Sequence, residues 1–202
     1  MRPKDIATKA NIARKDEVIR VAARLFAAKG YHATTLDEIA KEVGIAKPSL
    51  YYYIINKEDI LRKIMDIMKE QMEEVVAMGR SKLPPKERME NIIRILVKHA
   101  AESKEFTLIA FEQGNILPQR SMDALRRRQK ELEKVVQQTL EEGIKGGCFI
   151  ASDIKMTCFA ILAVANWLYR WYQTDGRLTP TEITEQFIKL LEHGYLHDGC
   201  PH

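Results

Sequence analysis

The stretch TTLDEIAKEVGIAKPSLYYYIINK, residues 34–57, carries the reading of the fold. Thr35 stands three residues before Glu38, an S/T-x-x-E capping box, which predicts a helix start. Leu36, Ile39, Ala40 and Val43 follow at i, i+3, i+4 and i+7, one buried stripe. Gly44 gives the backbone the freedom a sharp turn needs, and Ile45 can plug the corner. Pro48 suits the first turn of a second helix, where its missing N–H would have no partner anyway. That second helix carries Lys47, Ser49, Tyr51, Tyr52 and Tyr53, an odd set for a core. Two short helices at a Gly-containing turn form a helix-turn-helix, whose second helix enters the DNA major groove.

The pattern T-T-x-x-x-I-A-x-x-x-G-[IV]-x-x-x-x-L-Y-x-[HY]-[FI]-x-[NS]-K is met by Thr34, Thr35, Ile39, Ala40, Gly44, Ile45, Leu50, Tyr51, Tyr53, Ile54, Asn56 and Lys57. In this the stretch resembles the DNA-binding domain of the tetracycline-repressor (TetR) family. The resemblance implies a ligand-responsive repressor and no enzyme. Its expected partner is double-stranded palindromic operator DNA. The implied DNA-binding residues are Thr34, Thr35, Lys47, Pro48, Ser49, Tyr51, Tyr52, Tyr53 and Lys57. Lys57 resembles the family lysine that holds a phosphate. Thr34 and Thr35 have a structural reading as caps and a functional one as phosphate ligands. Successive helical positions lie about 100° apart, so the three tyrosines cannot all face one groove. Tyr52 is the first candidate for it, with one of the others partly in the core. Lys47 can donate to guanine O6 and N7.

Charge falls where the motif falls. Residues 1–57 hold 11 Lys or Arg against 6 Asp or Glu, and the remaining 145 hold 21 against 22. A positive field near DNA supplies sequence-independent affinity through counterion release. Residues 1–13 read either as a frayed tail or, with Arg2, Lys4, Lys9, Arg14 and Lys15, as a basic arm on DNA. From about Arg14 to Lys29 the apolar positions Val18, Val21, Ala22, Leu25 and Phe26 predict a bracing helix stopped by Gly30.

Residues 1–57 are therefore expected to form a DNA-binding domain and residues 58–202 a larger domain. Asn56 caps a helix to about Met78, with Glu58 and Asp59 in its first turn. Pro84 or Pro85 opens the next, with Met89, Ile92, Ile93, Leu96, Val97 and Ala100 inside. A short helix around Phe106, Leu108, Ile109 and Phe111 ends near Gly114, and Asn115 to Pro118 form a loop. A charged helix from about Ser121 to Glu142 buries Leu125, Leu132, Val135, Val136 and Leu140. Gly143, Gly146 and Gly147 end it. Arg126, Arg127 and Arg128 read as a solvated face or as a contact for an anionic ligand. Asp153 starts a helix to about Tyr172, whose Ala160, Ala163 and Ala165 permit close helix approach. Thr179-Pro180-Thr181-Glu182 starts the last helix, which is expected to bury Ile183, Phe187, Leu190 and Leu191. No segment reads as a strand. The fold class is all-α, about nine helices, three of them N-terminal, as in the TetR family.

Composition agrees: 46% hydrophobic and 30% charged residues are ordinary for a soluble globular chain. No apolar run is long enough to span a bilayer, and the N-terminus shows no apolar leader core. Cys148, Cys158 and Cys200 lack C-x-x-C spacing, which fits a reducing cytoplasm and no cysteine metal site. His193 and His197, four apart near Cys200 and His202, read as a surface pair rather than a metal site. No cofactor is expected. A metal-binding helical enzyme is the alternative from another class, but no nucleophile elbow, Gly-rich phosphate loop or H-E-x-x-H is present.

The family resemblance further implies a homodimer through the last two helices and a small hydrophobic effector in the larger domain. The stretch Asn166-Trp-Leu-Tyr-Arg-Trp-Tyr, with Asp175-Gly-Arg-Leu-Thr-Pro, is similar to a TetR subgroup that senses acyl-CoA thioesters in fatty-acid or steroid degradation. On that reading Met65, Met68, Met72 and Met89, with Phe106 and Phe111, line an apolar tunnel, and Trp167, Arg170 and Trp171 meet CoA. The open alternative is that the methionines are core and the Trp–Arg cluster is a dimer contact. Repression of an efflux system sensing hydrophobic drugs is the second functional alternative.

Overall fold

The computed structural model describes residues 3–112, 119–150 and 152–193, with side chains for 11–110, 119–150 and 152–192. Among these residues there are helices and no strands. The helices are α1 (Pro3–Lys29), α2 (Leu36–Val43), α3 (Lys47–Leu50), α4 (Lys57–Gly79), α5 (Pro85–Glu102), α6 (Lys104–Glu112), α7 (Gln119–Lys145), α8 (Ile154–Asn166), α9 (Leu168–Trp171) and α10 (Pro180–His193). With α8 and α9 taken as one interrupted helix, nine remain, as the sequence led us to expect. No described helix is long and apolar enough to cross a membrane.

The chain forms two compact units, one of residues 1–69 and 105–125, the other of 70–104 and 126–202. In the first, α1 packs on α2 and α2 on α3. Val18, Ile19, Ala22 and Phe26 of α1 are buried, as are Ile39, Ala40, Leu50 and Ile54. The helix expected from Arg14 begins at Pro3 instead. Only its second half has an apolar face, so periodicity could not mark the true start.

In the second unit α5 packs against α8, α9 and α10. The core gathers Val75, Ile92, Val97, Val136, Cys158, Ile161, Leu168 and Ile183. Arg88 is buried at 6% exposure and donates to the carbonyls of Gly79 and Ser81, which closes the end of α4. Its guanidinium also pairs with Glu142 of α7.

Two sequence expectations need correction here, the unbroken helix to Tyr172 and the burial of Leu190. The helix read as Asp153–Tyr172 breaks at Trp167, where the Arg170 N–H donates to the Trp167 carbonyl, a tightened i→i+3 bond. The tightening keeps Leu168 and Tyr172 buried while Trp167 and Trp171 stay exposed. In α10, Leu190 is 43% exposed, and Ile188 takes the buried place at 7%. Ala165 is buried, but Ala160 and Ala163 face outward. Gly114 and the Asn115–Pro118 loop lie outside the described residues.

Candidate nucleic-acid interface

The start of α2 is built by a short turn after α1. Gly30, at φ 90, ends α1. Thr34 is 1% exposed, and its hydroxyl donates to the Gly30 carbonyl at 2.9 Å. The capping box forms as expected: the Glu38 N–H donates to Thr35 Oγ1 at 3.2 Å, and the Thr35 N–H donates to Glu38 Oε2 at 2.8 Å. Lys29 of α1 also donates to Glu38. That bond first, then those from the backbone and hydroxyl of Thr35, hold the Glu38 carboxyl down at about 2. Lys57 Nζ donates to the carbonyls of Tyr31 at 2.6 Å and Thr34 at 2.8 Å.

Gly44 supplies the turn between the two helices at φ 74, ψ 36, the left-handed region that a side chain resists. The Ile45 N–H bonds back to the Ala40 carbonyl at 3.0 Å, and Arg14 donates to the Val43 carbonyl at 3.2 Å. Pro48 lies in the first turn of α3, where no N–H is needed. The second helix is shorter than its sequence suggests: α3 ends at Leu50. The N–H groups of Tyr52 and Tyr53 then donate to Ser49 and Leu50 in i→i+3 fashion. This tight turn lets Leu50 and Ile54 both reach the core.

The outcome is one exposed cluster on α3 and its turn. Lys47, Pro48 and Ser49 are exposed, Tyr51 is 51% and Tyr52 84% exposed, and Tyr53 is half-buried. Thr35 is exposed at the start of α2, whereas Thr34 is withdrawn and Lys57 is turned inward. Two residues escaped the sequence reading. Ile55 is 73% exposed after the turn, with no periodicity to announce it. Asp37 accepts from Lys47 Nζ at 2.8 Å. Its partner is on another helix, so no local pattern signals the pair. Asp37 raises the Lys47 pKa, first by the hydrogen bond and then by its charge.

The proposed effector residues are distributed over both units. Met68 and Phe106 are buried in the first unit. Met72 is half-buried in the second. The Phe111 side chain lies outside the described residues. Trp167 and Trp171 are 58% and 47% exposed, and the Arg170 guanidinium lies 5.8 Å from the Trp167 ring. They continue the outward stripe of α8, with Met156, Phe159, Ala160 and Ala163. Facing polar groups link α4 and α5 in the second unit: Gln71 Nε2 donates to Ser103 Oγ at 2.8 Å, and His99 Nε2 meets Glu74 at 2.8 Å. The His99 Nδ1 is buried with no hydrogen-bond partner among the described residues. Among those residues no group of three or more His, Cys, Asp or Glu could hold a metal. His197, Cys200, His202 and the side chain of His193 lie outside them.

Known proteins match along nearly the whole chain. Residues 18–64 match the family model "Bacterial regulatory proteins, tetR family", and residues 82–195 match "Tetracyclin repressor-like, C-terminal domain". The HTH-type transcriptional repressor KstR2 of Rhodococcus jostii is 28% identical over 190 residues, 90% of each chain. A TetR/AcrR-family regulator from Thermobifida fusca is 31% identical, with a TM-score of 0.68 over 92% of this chain and 100% of that one. AibR, solved with isovaleryl coenzyme A and operator DNA, is 27% identical, with a TM-score of 0.69 over 88% of this chain and 97% of its own. The two models together take in the helix-turn-helix and more than half of the chain beyond it, so this chain belongs to the TetR family of bacterial transcriptional regulators.

Proposed function

We propose that the chain is a homodimeric repressor that leaves a palindromic operator when an acyl-CoA thioester binds its larger domain. The likeness to AibR carries the choice of ligands, because that protein is solved in complex with isovaleryl coenzyme A and operator DNA; release on binding is the part that the titration below tests. The full-length likeness to the KstR2 repressor supports repression. Thr35, Lys47, Pro48, Ser49, Tyr51 and Tyr52 present the DNA-facing surface, with Tyr53 beside it. Thr34 and Lys57 act behind it, holding the turn that places α2. Residues 1–57 are the DNA-binding part and 58–202 the effector and dimer part. The setting is the cytoplasm.

Within 58–202 we divide the proposed effector residues. Met68, Met72, Phe106 and Phe111 serve an apolar acyl chain, for which flexible methionines are suited. His99, with its buried Nδ1, is added as a polar contact. Trp167, Arg170 and Trp171 go to the contact between copies, since Trp and Arg on an outward stripe are what interface centres favour. The effector lowers DNA affinity only by as much as it prefers the non-binding shape. In a dimer the two α3 regions must sit one DNA turn apart or a multiple, roughly 34 Å.

The test is operator binding titrated with CoA thioesters of graded chain length. The operator is selected from a random duplex pool by the purified protein. Release by one chain-length class at micromolar concentration supports the proposal. DNA binding that no thioester relieves overturns the effector, and a panel of hydrophobic drugs then tests the efflux alternative.

A further inference from the structure

Lys47 opens α3, and Asp37 lies in the first turn of α2. Their side chains are 46% and 65% exposed, yet Nζ and Oδ2 meet at 2.8 Å. The lysine ammonium rides on a flexible four-carbon stem and acts as a point charge. A free lysine at this edge would settle on any nearby phosphate as readily as on a base. Phosphate contacts fix position and carry no sequence information; base-edge contacts carry it. Anchored on Asp37, the ammonium has a fixed origin and two remaining donors. The pair is also neutral overall, so it adds little to counterion release.

We propose that Asp37 is a specificity-determining positioning residue: it holds Lys47 at the base-reading edge and keeps its charge off the DNA backbone. This deepens the DNA-binding reading of the same surface and rests on it. Asp37→Asn keeps the size of the side chain and removes its charge. Lys47 is then free for phosphate. Affinity for any duplex rises while discrimination falls. The plot of log affinity against log salt for a scrambled duplex steepens by up to about 0.9, the increment of one added phosphate contact. The ratio of selected to scrambled affinity falls about fivefold, the low end of what one good base contact supplies.

Asp37 also repels phosphates by its own charge, so single variants are not enough. The experiment is a double-mutant cycle of Asp37→Asn and Lys47→Met. The probes are a duplex enriched from a random pool by the wild-type protein and a scrambled duplex of equal composition. We expect Asp37→Asn to change slope and selectivity in the wild-type background and neither in the Lys47→Met background. Equal changes in both backgrounds mean that the carboxylate merely repels DNA, and the proposal falls. If the wild-type protein enriches no duplex, the DNA-binding reading fails before Asp37 is reached.

Discussion

The ammonium of Lys57, at the start of α4, lies 4.3 Å from the centre of the Tyr31 ring and 2.6 Å from the Tyr31 carbonyl oxygen. A third contact, 2.8 Å to the Thr34 carbonyl, fixes the turn that launches α2. The family resemblance implies a phosphate for this lysine, but its donors are aimed at the protein's own backbone. Lys57→Met therefore removes the ammonium donor from two carbonyls, of which that of Tyr31 keeps the Thr34 N–H at 3.3 Å, and loses a cation–π contact. We expect a loss of about 1–2 kcal/mol in folding stability, read by urea denaturation. Unchanged stability with weakened DNA binding would return the lysine to the phosphate.

The Glu38 carboxyl is depressed from 4.5 to about 2, by Lys29 first and then by Thr35. A carboxylate with a lower pKa in the folded state stabilises the fold above its unfolded pKa. That contribution is whole above pH about 4.5 and is lost as pH falls toward about 2. Glu182 is depressed in the same direction by the Thr179 backbone and hydroxyl at the start of α10. Melting temperature should therefore fall across this acid window. In Glu38→Gln the fall should be shallower, and the two proteins should converge at the acid end. Parallel curves would show that Glu38 makes no difference to acid stability.

The contrast between Glu38 and Asp37 shows what the sequence could disclose. Thr35, Glu38, Gly44 and Pro48 act on neighbours within a few residues, and each stood in the chain as a local pattern that the structure repeats. The same holds for the Asn56 cap, whose Oδ1 accepts the Asp59 N–H at 2.8 Å, and for the Thr179–Glu182 box. Asp37, Arg14 and Arg88 each also have a partner on another helix, 10, 29 and 54 residues away. Nothing in their own neighbourhoods signals those contacts. Exposure failed for a related reason. Leu190 is large and apolar, so periodicity counts it as buried whether the partner is its own core or another surface.

Gly79 closes α4 against α7. A Cβ built there would lie 2.6 Å from Val135 Cβ and 2.7 Å from its Cγ2. Val135 is 2% exposed and β-branched, so it has little room to turn away. In an open helix Gly→Ala stabilises by about 1 kcal/mol through backbone entropy. Here the sign should invert, and Gly79→Ala should destabilise by about 1–3 kcal/mol through overpacking. A denaturation midpoint at or above the wild-type value would mean that the two helices part without cost.

The outward stripe of α8 decides between the two readings of the Trp–Arg cluster. Met156 is 61%, Phe159 39% and Trp167 58% exposed, at spacings that put them along one side of the helix. Water contact on that many large side chains is unfavourable, at about 25 cal/mol per Å² of apolar area, and a second copy would remove it. Phe159→Asp places a charge in the middle of the stripe without touching the core. We expect it to dissociate the dimer at least about tenfold in sedimentation equilibrium, with helix content unchanged. Operator affinity should fall with it, since two α3 regions must be joined to span a palindrome. Arg170→Ala separates the remaining alternatives. If Arg170 serves the contact between copies, the variant weakens self-association and keeps its response to thioesters. If it meets the CoA phosphates, the dimer stays intact and the thioester no longer releases DNA. We expect the first outcome, because Trp167 and Trp171 flank Arg170 on the outward side of α8 and α9, and Leu168 and Tyr172 fill the inward side.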